Sequence, residues 1–179
     1  MVIDRIAQRY AKSVFDLAQE RNQLDAVKAD FLDFEKLLAE SRDFSRLVES
    51  PVVRSETKLN VFRALLKGKV NEVVMNLIET LTERNREALV PNIGWAYIDM
   101  VNKHRNITPV TAITSVKLTP EQEKQVIEKA KALTGTNVEL TTQVDAGILG
   151  GIILNIQGKQ YDASVTGSLA RLKKQLKVA

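Results

Sequence analysis

Cysteine is absent from the 179 residues, and histidine and tryptophan occur once each. The first absence removes disulfides, thiol nucleophiles and cysteine metal sites, and it fits a reducing compartment. A single histidine leaves no catalytic triad, two-histidine metal site or histidine relay to build. His104 falls at the end of a predicted helix, where a cation suits the helix dipole. Aromatic residues are only 5 % of the chain, so the core is expected to be aliphatic. No apolar run approaches the roughly 20 residues that span a bilayer. The N-terminal MVIDRIAQRYAKSVF is basic and amphipathic but lacks the basic-then-apolar layout of a secretory signal. Asp4, Asp16 and the lack of a serine-rich tract argue against a transit peptide. Work at a membrane would therefore require a partner to bring the chain there.

What is present reads as a soluble globular composition: 44 % apolar, 27 % charged, net charge +4. The length allows one ordinary domain or two small ones. Six helices are predicted first. Ile3, Ile6, Tyr10, Val14 and Leu17 form one stripe of a helix over 3–20, and Ala7, Ala11, Phe15 and Ala18 form a second beside it. Two stripes imply two covered sides. Leu24 to Leu38 marks the second helix, and a third follows Ser41 and ends at Pro51. The fourth starts between Ser55 and Lys58, carries Leu59, Phe62, Leu65 and Leu66, and closes at Gly68. Val70, Val73, Val74, Leu77, Ile78 and Leu81 give the fifth a wide apolar face. The sixth spans Leu89 to about His104, with Pro91 near its start and Trp95 off its main stripe.

Composition changes near Asn106. Ile107 to Val116 alternates as a strand. Thr119, Pro120 and Gln122 form a helix start with a capping box, and Gly135 ends that helix. Val138, Leu140, Thr142 and Val144 alternate as a second strand. Gly147, Gly150 and Gly151 then crowd an elbow before the apolar run Ile152–Ile156. Gln157, Gly158 and Lys159 turn the chain into a short strand over Gln160–Ala163. Ser164 caps a last helix carrying Val165, Leu169, Leu172 and Leu176. Helices clustered first and strands clustered later imply two domains, 1–105 and 106–179. The expected fold is multi-domain, α and α+β. A six-helix bundle precedes a small αβ domain that runs strand–helix–strand–strand–helix, with the short strand completing its last hairpin.

The C-terminal pattern is specific in combination. Val144-Asp145, the glycines before Ile152, the Gly158 turn and Asp162-x-Ser164-x-x-Gly167-x-Leu169-x-x-Leu172 together resemble the signature of the delta subunit of F-type ATP synthases, the family of the oligomycin-sensitivity-conferring protein. Tyr10-Ala11-Lys12 with Phe15 and Ala18, and Asn76-Leu77-Ile78 with Asn85 and Arg86, extend the resemblance over essentially the whole chain. It implies a helical bundle joined to an αβ domain, in a non-catalytic stator component of the peripheral stalk. It also implies two partners: the alpha subunits' N-terminal segments for the bundle, and b-type stalk subunits for the C-terminal domain. The alpha-binding groove is then expected between Tyr10, Ser13, Val14 and Leu17 on one side and Val74, Leu77, Ile78 and Leu81 on the other; each of these also reads as ordinary bundle core. Ser13 stands where the family pattern has alanine. The stalk contact is expected on the last helix, at Leu169, Leu172, Lys173 and Leu176. Peripheral attachment at the cytoplasmic face of a bacterial inner membrane, or the stromal face of a thylakoid, is implied in turn, with no direct membrane insertion.

No catalytic, cofactor-binding or metal-ligating residue is assigned. A Walker loop needs a lysine followed by Ser or Thr after its second glycine, and neither Gly147–Gly151 nor Gly158-Lys159 supplies one. Gly147-Ile148-Leu149-Gly150 matches the bare pattern of a KH-type RNA clamp, but two aliphatics fill it and a strand follows it. Arg171, Lys173, Lys174 and Lys177 read either as a solvated helix end or as an attraction for an acidic partner helix. A basic RNA-associated protein with a helical dimerisation bundle is the alternative. A small hydrolase or transferase has no nucleophile–base pair to build on.

Overall fold

The computed structural model describes the backbone of residues 5–50, 52–66 and 68–177, and side chains over the same ranges except at 170, 172 and 174–177. Ile3 and Pro51 lie outside the described residues. The chain divides into two compact units, one up to Val101 and one from Asn102 onward.

The first unit contains α1 (Arg5–Glu20), α2 (Leu24–Glu40), α3 (Arg42–Glu49), α4 (Ser55–Leu66), α5 (Glu72–Glu83), a 3₁₀ turn (Glu87–Leu89) and α6 (Val90–His104), whose last turn crosses the division. The two apolar stripes of α1 resolve into a core stripe and an outer one. Ala7, Ala11, Val14 and Ala18 are buried, at steps of four, three and four, whereas Ile6 and Leu17 are exposed and Tyr10 and Phe15 half-buried. Small residues at helical spacing let α1 sit close against its neighbours. Space beyond them is filled from α2 and α6: the Phe31 and Tyr97 rings lie 5.3 Å apart, and the Tyr97 hydroxyl donates to the Leu24 carbonyl. Phe34, Phe44 and Phe62 pack edge to face at the other end. Caps set several boundaries. Ser41 accepts from the Phe44 amide. Asn71 accepts from the Val73 amide, so α5 begins at Glu72 and Val70 stays outside it. Leu65, expected on the buried face of α4, is 40 % exposed, and Trp95 is exposed as well.

Lys58 is the residue that the pattern misplaces most. It marked a helix start but is buried, with Nζ donating to the Ser50 carbonyl and to Glu87 Oε1. Glu87 Oε2 is buried without a hydrogen-bond partner. This ion pair ties α4 to the end of α3 and to the 3₁₀ turn that launches α6.

The second unit is a four-stranded sheet in the order β2-β1-β3-β4, built from β1 (Ile107–Thr114), β2 (Asn137–Val144), β3 (Gly151–Ile156) and β4 (Lys159–Ser164), with helices α7 (Pro120–Thr134) and α8 (Val165–Lys177). β1 pairs with β2 in parallel, which the intervening α7 permits, and with β3 antiparallel. β1 stops at Thr114, short of the expected Val116, which is 68 % exposed. Register puts Val110 opposite Ile156 and Ala112 opposite Leu154, and these pack with Ala130 and Val126 of α7 as the unit's core. The capping box at Thr119 and Gln122 forms in both directions. At the β3–β4 hairpin the two loop residues, Gln157 and Gly158, both have positive φ, the conformation a two-residue type I′ turn requires.

Candidate partner-binding site: an apolar trough between α1 and α5

α1 and α5 run antiparallel. Arg84, capping the end of α5, reaches the Tyr10 hydroxyl at 3.4 Å, and Arg21, just past the end of α1, approaches Glu72 at the start of α5 at 3.7 Å. Between those two polar ends lies an open trough of about 200 Å3 lined by Tyr10, Ser13, Val14 and Leu17 from α1 and by Val73, Asn76, Leu77 and Thr80 from α5. Its floor is apolar: Val14, Val73 and Leu77. The rim hydroxyls are satisfied within their own helices, Ser13 donating to the Arg9 carbonyl and Thr80 to the Asn76 carbonyl. The trough therefore presents hydrocarbon flanked by two engaged hydroxyls and the exposed Asn76 carboxamide. From Tyr10 to Leu17 it runs two helical turns, about 10 Å at the rise of an α-helix.

The α1 side of the expected groove is brought together in the structure. On α5 only Leu77 is. Val74, Ile78 and Leu81 are at most 1 % exposed and belong to the bundle interior. The apolar face of α5 is wide enough to serve two neighbours, and its inner half is core while its outer margin borders the trough. Val73, Asn76 and Thr80 were missed for that reason. Their own steps of three and then four residues match those of Tyr10, Ser13 and Leu17, which is the signal that could have found them.

A hydrogen-bond relay sets the start of α5. Asp30 Oδ2 accepts from the Asn71 amide at 2.7 Å, and the Asn71 side chain donates to Gln23 Oε1. Burial pushes the Asp30 carboxyl up from its usual value and Asp33 nearby adds to this, while the Asn71 amide opposes it.

In the second unit the glycine-rich stretch is structural. A Cβ at Gly151, where φ is +86°, would stand 2.5 Å from the Ala163 carbonyl oxygen. The Asp162–Ser164–Gly167 motif closes on itself: Asp162 Oδ1 accepts from the Ser164 amide, Ser164 Oγ accepts from the Gly167 amide, and the carboxylate fills the space a Cβ at Gly167 would need. The Ser164 hydroxyl and the Ser164 amide beside it hold the Asp162 carboxyl below its usual range. Arg171 donates to the Asp162 carbonyl and to Ser168, so this member of the basic cluster is engaged within the fold. Leu169 is 56 % exposed and Lys173 exposed, while the side chains of Leu172, Lys174, Leu176 and Lys177 lie outside the described residues. The Gly147–Gly150 loop joins two strands and buries Ile148, so the helix–loop–helix frame of a KH clamp is not formed, and the RNA-associated alternative gains no support. Among the described residues no three metal-binding side chains gather, and no helix is long and apolar enough to cross a membrane.

Comparison with known proteins agrees over nearly the full length. The pattern of the ATP synthase delta (OSCP) subunit matches residues 6–176. The ATP synthase subunit delta of Christiangramia forsetii is 34 % identical over 97 % of this chain and 94 % of its own. That of Thermosynechococcus vestitus is 32 % identical over 93 % of this chain and 91 % of its own. Among solved structures, a chain of the Toxoplasma gondii mitochondrial ATP synthase hexamer superposes with a TM-score of 0.75 at 27 % identity, covering 97 % of this chain and 98 % of that one. A chain of the Polytomella F-ATP synthase shares the fold over 58 % of this chain and 92 % of its own, at a TM-score of 0.54 and 20 % identity. Sequence, fold and the matched span together place the chain in the delta (OSCP) subunit family of ATP synthases.

Proposed function

We propose that the chain is a non-catalytic stator component of an F-type ATP synthase, fastening the catalytic head to the peripheral stalk so that rotor torque drives ATP synthesis instead of turning the head. The bundle grips an N-terminal segment of an alpha subunit in the α1–α5 trough. The C-terminal unit engages b-type stalk subunits, with Leu169 and Lys173 exposed toward them and Leu172 and Leu176 on the same helix. The chain sits at the membrane periphery through these partners, on the cytoplasmic face of a bacterial inner membrane or the stromal face of a thylakoid.

The trough is the observation that carries this reading. Amphipathic helices dock by placing apolar anchors three or four residues apart into a hydrocarbon groove. A floor of Val14, Val73 and Leu77 two turns long, with hydroxyl rims already satisfied, fits that mode and offers no charge or nucleophile for chemistry.

Ser13→Trp tests it. Ser13 is exposed on the rim, so a bulky ring fills the trough without entering the core. A synthetic alpha-subunit N-terminal peptide titrated into the full chain should bind at least about tenfold more weakly, a loss of about 1.4 kcal/mol, while helix content stays unchanged. Unaltered affinity would move the alpha site elsewhere. Val14→Asp is the harsher version. Val14 is only 5 % exposed, so its carboxylate would be stranded in the floor and stability must be measured alongside binding.

A further inference from the structure

We infer that the outer edge of β2 is a strand-addition site for an extended partner tail, apolar at every second residue; this rests on the reading that the C-terminal unit engages the stalk, and it assigns a backbone contact separate from α8. β2 ends the sheet, with β1 as its neighbour on one side. The Asn137 amide donates to the Asn106 carbonyl, and the Asp145 amide to the Thr114 carbonyl. The odd-numbered residues of β2 therefore turn their backbone toward β1, and Val138, Leu140, Thr142 and Val144 turn theirs outward. Among the described residues no hydrogen bond reaches the outward N–H and C=O groups of those four. Six of the eight residues of β2 are exposed, so the edge faces solvent.

The two edges of the sheet are treated differently. β4 is six residues long and starts at Lys159, and Arg171 donates to its Asp162 carbonyl. A short strand, a lysine and a side chain laid on the backbone all blunt an edge. β2 is eight residues long, pairs with β1 in unbroken register, and contains no proline, glycine or lysine. An edge left this regular is a template for another strand. Side chains then define the occupant. Val138 and Leu140 pack against the core under α7, so Thr142 and Val144 share that face, and an incoming strand extends it with apolar residues at alternate positions. Asn137, Glu139, Thr141 and Gln143 make the other face polar. The edge also runs into aliphatic surface. Val116 beyond β1, Val144 at the end of β2, Leu149 before β3 and Val165 after β4 lie at one end of the sheet, 49 % to 80 % exposed. A second copy of the chain fits less well. Two such edges cover far less than the roughly 1,200 Å2 of a stable interface, whereas a tail tethered to a partner already bound needs little area of its own. Charge favours an acidic tail. From Asn102 onward there are eleven Lys and Arg against six Asp and Glu, a net of +5; up to Val101 there are fifteen against sixteen, a net of −1.

The test follows amide exchange in the full chain while the soluble segment of the cognate b-type stalk subunit is titrated in. In the free chain the Leu140 and Thr142 amides should exchange at least about tenfold faster than those of Glu139, Thr141 and Gln143. Saturation should slow them to match, an alternation that side-chain docking does not produce. Thr142→Pro removes an outward N–H and no ladder bond, at an exposed position. It should weaken binding by about tenfold or more while β1 and β3 amides stay protected. Thr142→Lys keeps the N–H but sets a charge against the incoming apolar face, and should weaken binding even if the proline variant loosens the sheet. If the outward amides stay fast at saturation, or both variants bind like the parent, the edge is unused and the inference is overturned with the stalk reading intact. If those amides gain protection in the parent alone as its concentration rises, the occupant is a second copy and the inference is overturned. If the parent fails to bind the stalk segment, both fall.

Discussion

On the proposed reading the two units solve the same problem, presenting a surface to another protein, with different materials. The bundle is nearly neutral, has a core of more than twenty buried hydrophobic residues, and offers a recess whose rim hydroxyls are already satisfied. The C-terminal unit is basic, has a core cluster of five buried hydrophobic residues, and leaves much aliphatic surface exposed at one end of its sheet. A large core lets the bundle hold a preformed recess mainly by packing, with the Asp30–Asn71–Gln23 relay fixing the start of α5. A small core cannot, and the second unit relies instead on backbone devices: the capping box, the type I′ turn, and the closed Asp162–Ser164–Gly167 loop. The lesson is that packing dominates in one unit and hydrogen bonding in the other, so they should fail to different insults.

The strongest way to break that contrast is to strike the bundle's buried ion pair, Lys58 with Glu87. Glu87→Ala should cost the bundle about 3–5 kcal/mol by stranding the Lys58 ammonium. Replacing both partners, Lys58→Met with Glu87→Leu, should recover most of it. Native-state amide exchange reads the two units separately. Equal loosening of β3 and β4 would show that the units are not independent. Next comes Gly151→Ala in the second unit, expected to cost about 2–3 kcal/mol from backbone strain and the clash with Ala163, visible in β3 and β4 amides and not in α1–α5. Gly158→Ala sharpens the point. It has positive φ but nothing within 4 Å of the added carbon, so the cost should be nearer about 1 kcal/mol.

The smallest expected effect is on pH, and it has opposite signs in the two units. Asp30 is raised in the folded state, so its contribution to bundle stability is present at low pH and lost as pH rises through the raised value. Asp162 is lowered, so its contribution is present above the ordinary 3.8 and lost as pH falls through the lowered value. Amide exchange followed downward from neutral pH should therefore show Asp162→Asn converging with the parent at the acid end in β4 and α8. Asp30→Asn should raise bundle protection at neutral pH. A parent whose β4 amides gain protection on acidification would contradict the Asp162 assignment.

These devices also explain what could be read beforehand. Element identity and order followed from periodicity and caps: the Thr119 box, the Ser41 cap and the Gly158 turn are local chemistry, visible in four or five residues. The strand order β2-β1-β3-β4 was not visible, because pairing is decided by partners distant in sequence. On α1 the trough side was expected from the family resemblance, and the buried Ala7, Ala11 and Ala18 show why it falls there: they take the other side for close packing. On α5 every candidate was aliphatic, so nothing local separated Leu77 from Ile78. Lys58 was hidden for the opposite reason. Charge argues for solvent, and only Glu87, 29 residues away, reverses that; the sole hint was its place four residues before buried Phe62.

That pair bears on how the molecule carries a load. Sliding α4 by one residue along the turn before α6 would pull an ammonium off two oxygens inside a hydrocarbon interior, a steep penalty for a small displacement. Under a pull along α4 that junction therefore resists small displacements before it yields.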